Sequence, residues 1–177
     1  MPCVVADTSP LFYLARLEKL SLLPDLYGSI AVPERVWNEA LAGGRRYPDI
    51  LPSLHAGAAQ QWIAIHPATD LPHPPQIAKL DAGEQDAILL AQALGADCLL
   101  IDDLRGRESA QALGLTVKGT LAILAEAKTA GLIPSLARVY RALRVETTFR
   151  FSRELEKELL LDAGERPLPD NLDPDNV

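Results

Sequence analysis

The sequence predicts an α/β fold, a three-layer α/β/α sandwich built on a central parallel sheet. Short apolar runs alternate with helical patterns along the chain, which is the order of strands and crossover helices in such a sheet. Two of these runs, residues 4–6 and 98–101, are apolar throughout, as expected of strands that are covered on both faces. An aspartate follows each of them directly, at the edge where α/β sheets carry their chemistry.

The first half of the chain predicts three strands separated by helical patterns. The strands are expected at residues 4–6, 30–32 and 62–65, and the helices from residue 11, at 20–26, from residue 33 and at 52–61. Pro33 suits the start of a helix, because its missing N–H costs nothing there. Gly43 and Gly44 are expected to end this helix, which leaves Arg45 and Arg46 in a turn.

The second half continues the alternation after a surface connection with four prolines, residues 66–75. Asp81 and Glu84 have the spacing of a capping box, which predicts a helix that runs from there to Gly95. The remaining strands are expected at residues 98–101 and 115–117, and the remaining helices at 107–113, 121–130, 135–143 and 152–161.

Composition is that of a globular domain with its own core. Of the 177 residues, 48% are apolar and 23% charged. No apolar run approaches the roughly 20 residues of a membrane span, and the N-terminus lacks the pattern of a signal peptide. Cys3 and Cys98 lie in apolar, strand-like runs, so we expect reduced, buried thiols and a cytoplasmic protein.

Charge is unevenly distributed along the chain. The net charge of −7 argues against a nucleic-acid binder that depends on electrostatics alone. Residues 162–177 contain five acids and one base, so more than half of the net charge belongs to this segment. We therefore expect one domain, residues 1–161, followed by an acidic, proline-rich tail, residues 162–177, that is disordered or loosely docked.

Acidic side chains are expected to converge at one edge of the sheet, because they follow strands or lie on the intervening helices. The candidates are Asp7, Glu39, Glu84, Asp86, Asp102 and Asp103. Crowded carboxylates raise one another's pKa unless a cation is present. Oxygen ligands of this kind suit Mg²⁺ or Mn²⁺, and such ions position a water and stabilise the leaving oxygen in phosphodiester cleavage.

Several of these acids also have a structural explanation. Asp7 precedes Thr-Ser and a helix, which is a good capping sequence. Glu84 is explained as the capping-box partner of Asp81, and Glu39 could pair with Arg35 four residues earlier on the same helix.

The remaining acids differ in how easily structure explains them. Asp86 lies in the first turn of its helix, where a negative charge suits the helix dipole. Asp102 and Asp103 are adjacent acids at the end of a buried strand, where they repel each other, and this arrangement favours a function.

Five segments form an ordered set of motifs: VVADTSPL at 4–11, VPERVWNE at 32–39, GEQDAILLA at 83–91, LIDDLRGR at 100–107 and LGLTVKGT at 113–120. This set resembles PIN-domain proteins of the prokaryotic branch related to VapC toxins, and within it a branch catalogued as a domain of unknown function. The resemblance covers residues 3–160 and implies a compact α/β/α sandwich with a parallel sheet.

The resemblance also implies a Mg²⁺- or Mn²⁺-dependent ribonuclease. It maps the catalytic and metal-binding acids of the family onto Asp7, Glu39, Asp86 and Asp103. Asp102 and Glu84 lie one and two positions from mapped acids and could share metal binding. RNA as substrate, a small cognate antitoxin and a homodimer are further implications.

Three positions near the last acids refine this expectation. Relatives often have Ser or Thr two positions before the last acid, where this chain has Ile101, so a hydroxyl that could orient a ligand is missing. Arg105 and Arg107 follow the acid pair and could contact the RNA backbone. They could equally pair with Glu108 or other nearby acids.

Three classes of function follow from these patterns. The leading hypothesis is a metal-dependent endoribonuclease, the toxin of a toxin–antitoxin pair. The second is a catalytically weak PIN-like module that binds RNA or a protein, which Ile101 and the negative charge favour. The third, a phosphorylated receiver or a haloacid-dehalogenase-like phosphatase, fits poorly. A receiver has its acid pair early in the chain, and the phosphatase needs an aspartate where Ser9 stands.

Overall fold

The computed structural model describes residues 1–166. The chain divides into two compact units, residues 1–120 and 121–177. The predicted tail begins at residue 162, and its residues 167–177 lie outside the described part of the chain.

The first unit contains a five-stranded parallel sheet. The strands are β1 (Val4–Ala6), β2 (Ile30–Pro33), β3 (Ile63–His66), β4 (Cys98–Leu100) and β5 (Val117–Lys118). Their order is β3-β2-β1-β4-β5, and every neighbouring pair is parallel. The first strand is therefore central, and the predicted parallel α/β sheet is confirmed.

Six helices of this unit follow the strands in sequence. They are α1 (Thr8–Arg16), α2 (Leu22–Tyr27), α3 (Glu34–Arg46), α4 (Leu51–Ala59), α5 (Ala82–Leu94) and α6 (Leu104–Ala112). Short 3₁₀ turns precede α4, at Pro48–Ile50, and α5, at Pro75–Ile77.

The central strands are buried on both faces. Val4, Val5 and Ala6 of β1 are at most 2% exposed, although neighbouring side chains of a strand point to opposite faces. Leu99 and Leu100 of β4 are also fully buried. Apolar burial on this scale is the main favourable contribution to folding, and it explains why these two runs carry no polar residue.

The second unit is helical in its described part. It contains the body of α7 (Thr120–Thr129), then α8 (Leu136–Glu146) and α9 (Arg153–Asp162). Glu165 follows α9 and accepts hydrogen bonds from the backbone N–H groups of Leu136 and Ala137 at 2.7 and 2.9 Å. Glu165 therefore joins the segment after α9 to the N-terminus of α8.

Several predicted boundaries were wrong. Helix α1 begins at Thr8 instead of residue 11, α8 ends at Glu146 instead of residue 143, and β5 begins at Val117 instead of residue 115. Helix α3 continues through Gly43 and Gly44 to Arg46. A Cβ atom on Gly44 would lie 2.1 Å from the Cδ2 atom of Leu51, so this glycine permits close packing and does not end the helix. Helix α6 begins at Leu104 instead of residue 107, because Asp103 accepts a hydrogen bond from the Gly106 N–H at 3.0 Å.

Two further expectations concern the thiols and the membrane. Cys3 and Cys98 are not joined in a disulfide; Cys98 is buried, as predicted, whereas Cys3 is partly exposed, contrary to the prediction. Within residues 1–166, none of the helices combines the length and apolarity that crossing a bilayer requires.

Candidate active site

Asp7 lies at the carboxyl end of the central strand, next to β4. Its backbone N–H donates to the carbonyl of Leu100 at 2.9 Å, which fixes its position against the neighbouring strand. Its side chain is 4% exposed and occupies the N-cap position of α1, but it makes no capping hydrogen bond. Capping therefore does not account for a carboxylate buried at this position.

The carboxylate of Asp7 faces other negative charges. The pKa of Asp7 is raised to about 7, chiefly by burial and then by the charges of Glu84, Asp81 and Glu39, whereas the backbone N–H of Thr8 lowers it. Four acids from three parts of the chain thus act on one another at the edge of the sheet, where a cation would relieve their repulsion.

Glu39 reaches this edge from α3. The hydroxyl of Thr8 donates to its Oε2 atom at 2.7 Å, which links the first turn of α1 to α3. A Cβ atom on Gly83 of α5 would lie 2.6 Å from the same oxygen. The missing side chain of Gly83 therefore leaves the space that the Glu39 carboxylate occupies between α3 and α5.

Glu84 is both a helix cap and a member of this site. Asp81 accepts from the Glu84 N–H at 2.9 Å and Glu84 accepts from the Asp81 N–H at 3.4 Å, which confirms the predicted capping box. The pKa of Glu84 is raised to about 7, chiefly by burial and then by the charges of Asp81 and Asp103. Glu84 and Asp103 also line one cleft together with Asp81, Lys79 and Arg105.

Asp102 and Asp103 differ although they are adjacent. Asp103 is exposed at the N-cap of α6 and lines the cleft with Glu84. Asp102 accepts from the N–H and the hydroxyl of Thr120, at 2.7 and 2.6 Å. Burial raises the pKa of Asp102, whereas these bonds and then the charge of Arg107 lower it. Asp102 thus ties the end of β4 to Thr120, the last residue of the first unit, and Arg107 interacts with it.

Asp86 lies on α5 but is paired away from Asp7. Its Oδ2 atom accepts from Nε of Arg35 at 2.7 Å, and Glu39, the partner expected for Arg35, acts on it through its charge. Asp86 and Arg35 line a second cleft, and Glu39 is the acid that this cleft shares with the Asp7 group.

Electrostatic interactions and a shared cleft connect five acids, four of which are among the predicted site residues. The group comprises Asp7, Glu39, Asp81, Glu84 and Asp103, which we call the acid group. Asp86 and Asp102 form their own pairs beside it. Within residues 1–166, no three His, Cys, Asp or Glu side chains are already arranged around one point that could hold an ion.

The acid group fits a hard divalent cation by the chemistry of its donors. It offers carboxylate oxygens, and two of its members, Asp7 and Glu84, have their pKa raised to about 7 by burial and neighbouring charge. Mg²⁺ is usually held by one or two carboxylates plus waters and substrate oxygens, so a closed protein cage is not required.

Ile101 is accounted for by packing. It is fully buried, and a Cβ atom on Gly106 would lie 2.6 Å from its Cδ1 atom. The side chain therefore fills the space beneath α6, and the position supplies no hydroxyl to the acid group.

Two contributors were missed by sequence reasoning. Thr8 was treated as a cap, yet it orients Glu39, and Asp81 was treated only as the capping partner of Glu84, yet its charge acts on Asp7. Their positions directly after Asp7 and three residues before Glu84 are the signals that could have identified them.

The chain is similar to known proteins in sequence and in fold. A family model described as DUF3368, PIN domain, matches residues 3–165. A PilT N-terminus domain protein from the archaeon Sulfolobus solfataricus P2 is similar in structure, with a TM-score of 0.52 and 18% identity over 70% of this chain and 92% of that one.

A domain of a functionally unknown protein from Methanocaldococcus jannaschii DSM 2661 has a TM-score of 0.45 and 20% identity, over 67% of this chain and 91% of that one. No curated protein matches. The family match spans most of the chain, and the fold agrees with that of the Sulfolobus protein. This chain therefore belongs to the PIN-domain family.

Proposed function

We propose that this protein is a divalent-metal-dependent endoribonuclease that cleaves RNA phosphodiester bonds. PIN domains are generally metal-dependent nucleases, and this is the coarse activity that membership of the family indicates. The observation that carries the proposal is the buried Asp7 carboxylate, which lies among the charges of Glu84, Asp81 and Glu39 at the carboxyl end of the sheet.

Four acids are the proposed ligands and catalytic groups. Asp7, Glu39, Glu84 and Asp103 would hold Mg²⁺ or Mn²⁺, and when bound the ion would lower the pKa of a water and offset charge on the phosphate. The Thr8 hydroxyl orients the Glu39 carboxylate, and the backbone N–H of Asp81 orients the Glu84 carboxylate, through the hydrogen bonds described above. Because the pKa of Asp7 and that of Glu84 are each raised to about 7, cation binding should release protons at neutral pH.

The other predicted site residues enter the proposal with different support. Arg105 lines the cleft with Glu84 and Asp103, which supports contact with the RNA backbone. Arg107 acts on Asp102, which favours its structural alternative. The roles predicted for Asp86 and Asp102 as metal ligands stay predictions, although their pairing with Arg35 and Thr120 supports other roles.

The biological setting is part of the same proposal and rests on the resemblance to VapC-like toxins. In it the protein is a cytoplasmic toxin that acts on RNA, is inhibited by a small cognate antitoxin and forms a homodimer. The genomic neighbour of the gene tests this setting, since a small DNA-binding or clamp-like protein is expected there.

The activity is tested with purified protein, a mixed RNA pool and Mn²⁺. Cleavage should require the metal, stop in EDTA, and be abolished by Asp7→Asn and by Asp103→Asn. Asp25→Asn is the matched control, because Asp25 is an exposed aspartate on α2 of the same unit. Cleavage that survives EDTA, or that both site variants retain, would refute the proposal.

A second candidate is a catalytically weak module that binds RNA or a protein. The buried Ile101 favours it, because this side chain packs under α6 and offers no hydroxyl to the acid group. A titration separates the two candidates. Millimolar Mn²⁺ that neither stabilises the protein nor activates it would favour binding alone.

A further inference from the structure

The second cleft lies between α3 and α5, beside the acid group. It has a volume of about 480 Å³ and is lined by Arg35, Asn38, Glu39, Ala68 and Asp86, among others. Glu39 also faces Asp7, so the cleft adjoins the proposed catalytic edge directly. We call it the α3–α5 cleft.

Helical spacing sets the position of Arg35 in this cleft. Arg35 and Glu39 are four residues apart on α3, so their side chains lie on one face with Cβ atoms about 5–6 Å apart. On α5, Gly83 faces Glu39, and Asp86, three residues later, faces Arg35. Arg35 is thus one helical turn from the carboxylate that belongs to the acid group.

The guanidinium group of Arg35 is held by one nitrogen. Nε donates to Oδ2 of Asp86 at 2.7 Å, and within residues 1–166 its two Nη groups have no hydrogen-bond partner. The Arg35 side chain is 53% exposed, whereas that of Asp86 is 16% exposed. Asp86 therefore fixes the orientation of a guanidinium whose remaining N–H groups are open to a ligand.

The charge of the cleft makes this arginine distinctive. Among the described residues that line it, Arg35 is the cation, and Glu34, Glu39 and Asp86 are acids. An RNA strand that approaches the acid group meets repulsion from these carboxylates. An oriented guanidinium donates two parallel hydrogen bonds to a phosphate, which a lysine cannot match in geometry.

An ordinary surface ion pair is the alternative to a binding role. Exposed ion pairs contribute little to the free energy of unfolding. Stabilisation of the fold is therefore a weak explanation for the Arg35–Asp86 pair in a cleft beside the acid group. The alternative predicts that removing Arg35 changes neither substrate affinity nor the salt dependence of binding.

We propose that Arg35 binds a backbone phosphate of the RNA next to the scissile one and that Asp86 is the positioning residue that holds Arg35 for this contact. The inference rests on the proposed ribonuclease function for its choice of ligand. It assigns Asp86 to phosphate recognition through Arg35, in place of metal binding.

Kinetics with a short single-stranded RNA in Mn²⁺ test the contact. Arg35→Ala should raise KM about tenfold with kcat nearly unchanged, since one charge-assisted phosphate contact is lost. Arg35→Lys should recover part of the affinity, because lysine supplies the positive charge but not the paired N–H donors of the guanidinium group. Arg45→Ala is the matched control, as Arg45 is an exposed arginine on the same helix, about 15 Å along its axis from Arg35.

A double variant separates positioning from metal binding. If Asp86 acts through Arg35, Asp86→Asn should raise KM, and Arg35→Ala/Asp86→Asn should be no worse than Arg35→Ala alone. A fall in kcat on adding Asp86→Asn to Arg35→Ala, with a higher Mn²⁺ requirement, would overturn the proposal and make Asp86 a metal ligand.

Binding without catalysis distinguishes failure of this inference from failure of the ribonuclease proposal. Anisotropy of the labelled RNA in EDTA should show weaker binding by Arg35→Ala and a salt slope that is shallower by about 0.7, the value for one phosphate of a single strand. Unchanged affinity and slope would refute the contact, whether or not the wild type cleaves RNA. If the wild type does not cleave RNA but its salt slope of binding still differs from that of Arg35→Ala, only the ribonuclease proposal is refuted.

Discussion

Asp7 and Asp102 look alike in the sequence and differ in the structure. Each is the first acid after a buried apolar run, and burial raises the pKa of both. Asp102 receives two hydrogen bonds from Thr120 and the favourable charge of Arg107, whereas Asp7 faces the charges of Glu84, Asp81 and Glu39. Hydrogen-bond donors and a positive charge give Asp102 a structural explanation, whereas neighbouring charges of the same sign at Asp7 favour a cation site.

The largest expected effect is on activity when Asp7 is changed. Asp7→Asn should reduce metal-dependent cleavage by at least about a thousandfold, as removal of one catalytic group does. The same change should leave the unfolding temperature unchanged or raise it, because it removes a buried charge from a repulsive environment. Cleavage assays and thermal denaturation in EDTA measure the two effects. If Asp7→Asn lowers the unfolding temperature by several degrees, Asp7 stabilises the fold and does not differ from Asp102 in this respect.

The second prediction reverses this pattern for Asp102. Asp102→Ala should lower the free energy of unfolding by about 2–4 kcal/mol, because the N–H and hydroxyl of the buried Thr120 lose their acceptor. Urea denaturation measures the loss, with the exposed Asp25→Ala as control. In a double-mutant cycle, the destabilisation by Thr120→Val and that by Asp102→Ala should be less than additive, because both changes remove the same hydrogen bond. If Asp102→Ala changes the free energy of unfolding by less than about 0.5 kcal/mol, Asp102 has no structural role.

The third prediction concerns the space beside Glu39. In Gly83→Ala, the new Cβ would lie 2.6 Å from the Glu39 Oε2 atom, so the carboxylate must move. Activity should fall by about 10–100-fold, on the scale of a misplaced catalytic group, while stability changes by less than about 1 kcal/mol, since alanine favours helices. Glu39→Gln sets the upper limit of the loss. Full activity of Gly83→Ala would show that the Glu39 position is not needed.

Much of this architecture could be predicted from the sequence, because its signals are local. The continuous apolar runs of β1 and β4 identified buried strands, and the spacing of Asp81 and Glu84 identified a capping box. The start of α6 was wrong because its cap, Asp103, had been considered only as a ligand.

The partners of the acids could not be predicted, because they come from elements far apart in sequence. Asp86 pairs with Arg35 across 51 residues, and Asp102 binds Thr120 across 18. These pairs depend on how α3 packs on α5 and how the end of β4 lies relative to Thr120. No pattern along the chain encodes this packing. The sequence therefore could not show which of the two α5 acids, Glu84 or Asp86, interacts with Asp7.

The smallest expected effect extends the comparison to an acid of the second unit whose partners all favour its charge. Burial would raise the pKa of Glu165, but the N–H groups of Ala137 and Leu136, then Lys128 and Ser135, lower it to about 2. A lowered pKa stabilises the folded state at pH values above the ordinary value of 4.5, and this contribution is lost as the pH falls toward 2.

Glu165→Gln should therefore lower stability by about 1–2 kcal/mol at pH 7, as expected for losing charge-assisted hydrogen bonds at a helix N-terminus. The difference from the wild type should shrink as the pH falls below 4.5 and vanish near pH 2. Urea denaturation midpoints of the wild type and Glu165→Gln, measured between pH 2 and pH 7, test this pH dependence. Glu158→Gln, at an exposed position on α9, is the control. A difference that stays constant with pH would mean that the charge of Glu165 contributes nothing. The contrast between partnered and crowded acids would then hold only for Asp102 and Asp7.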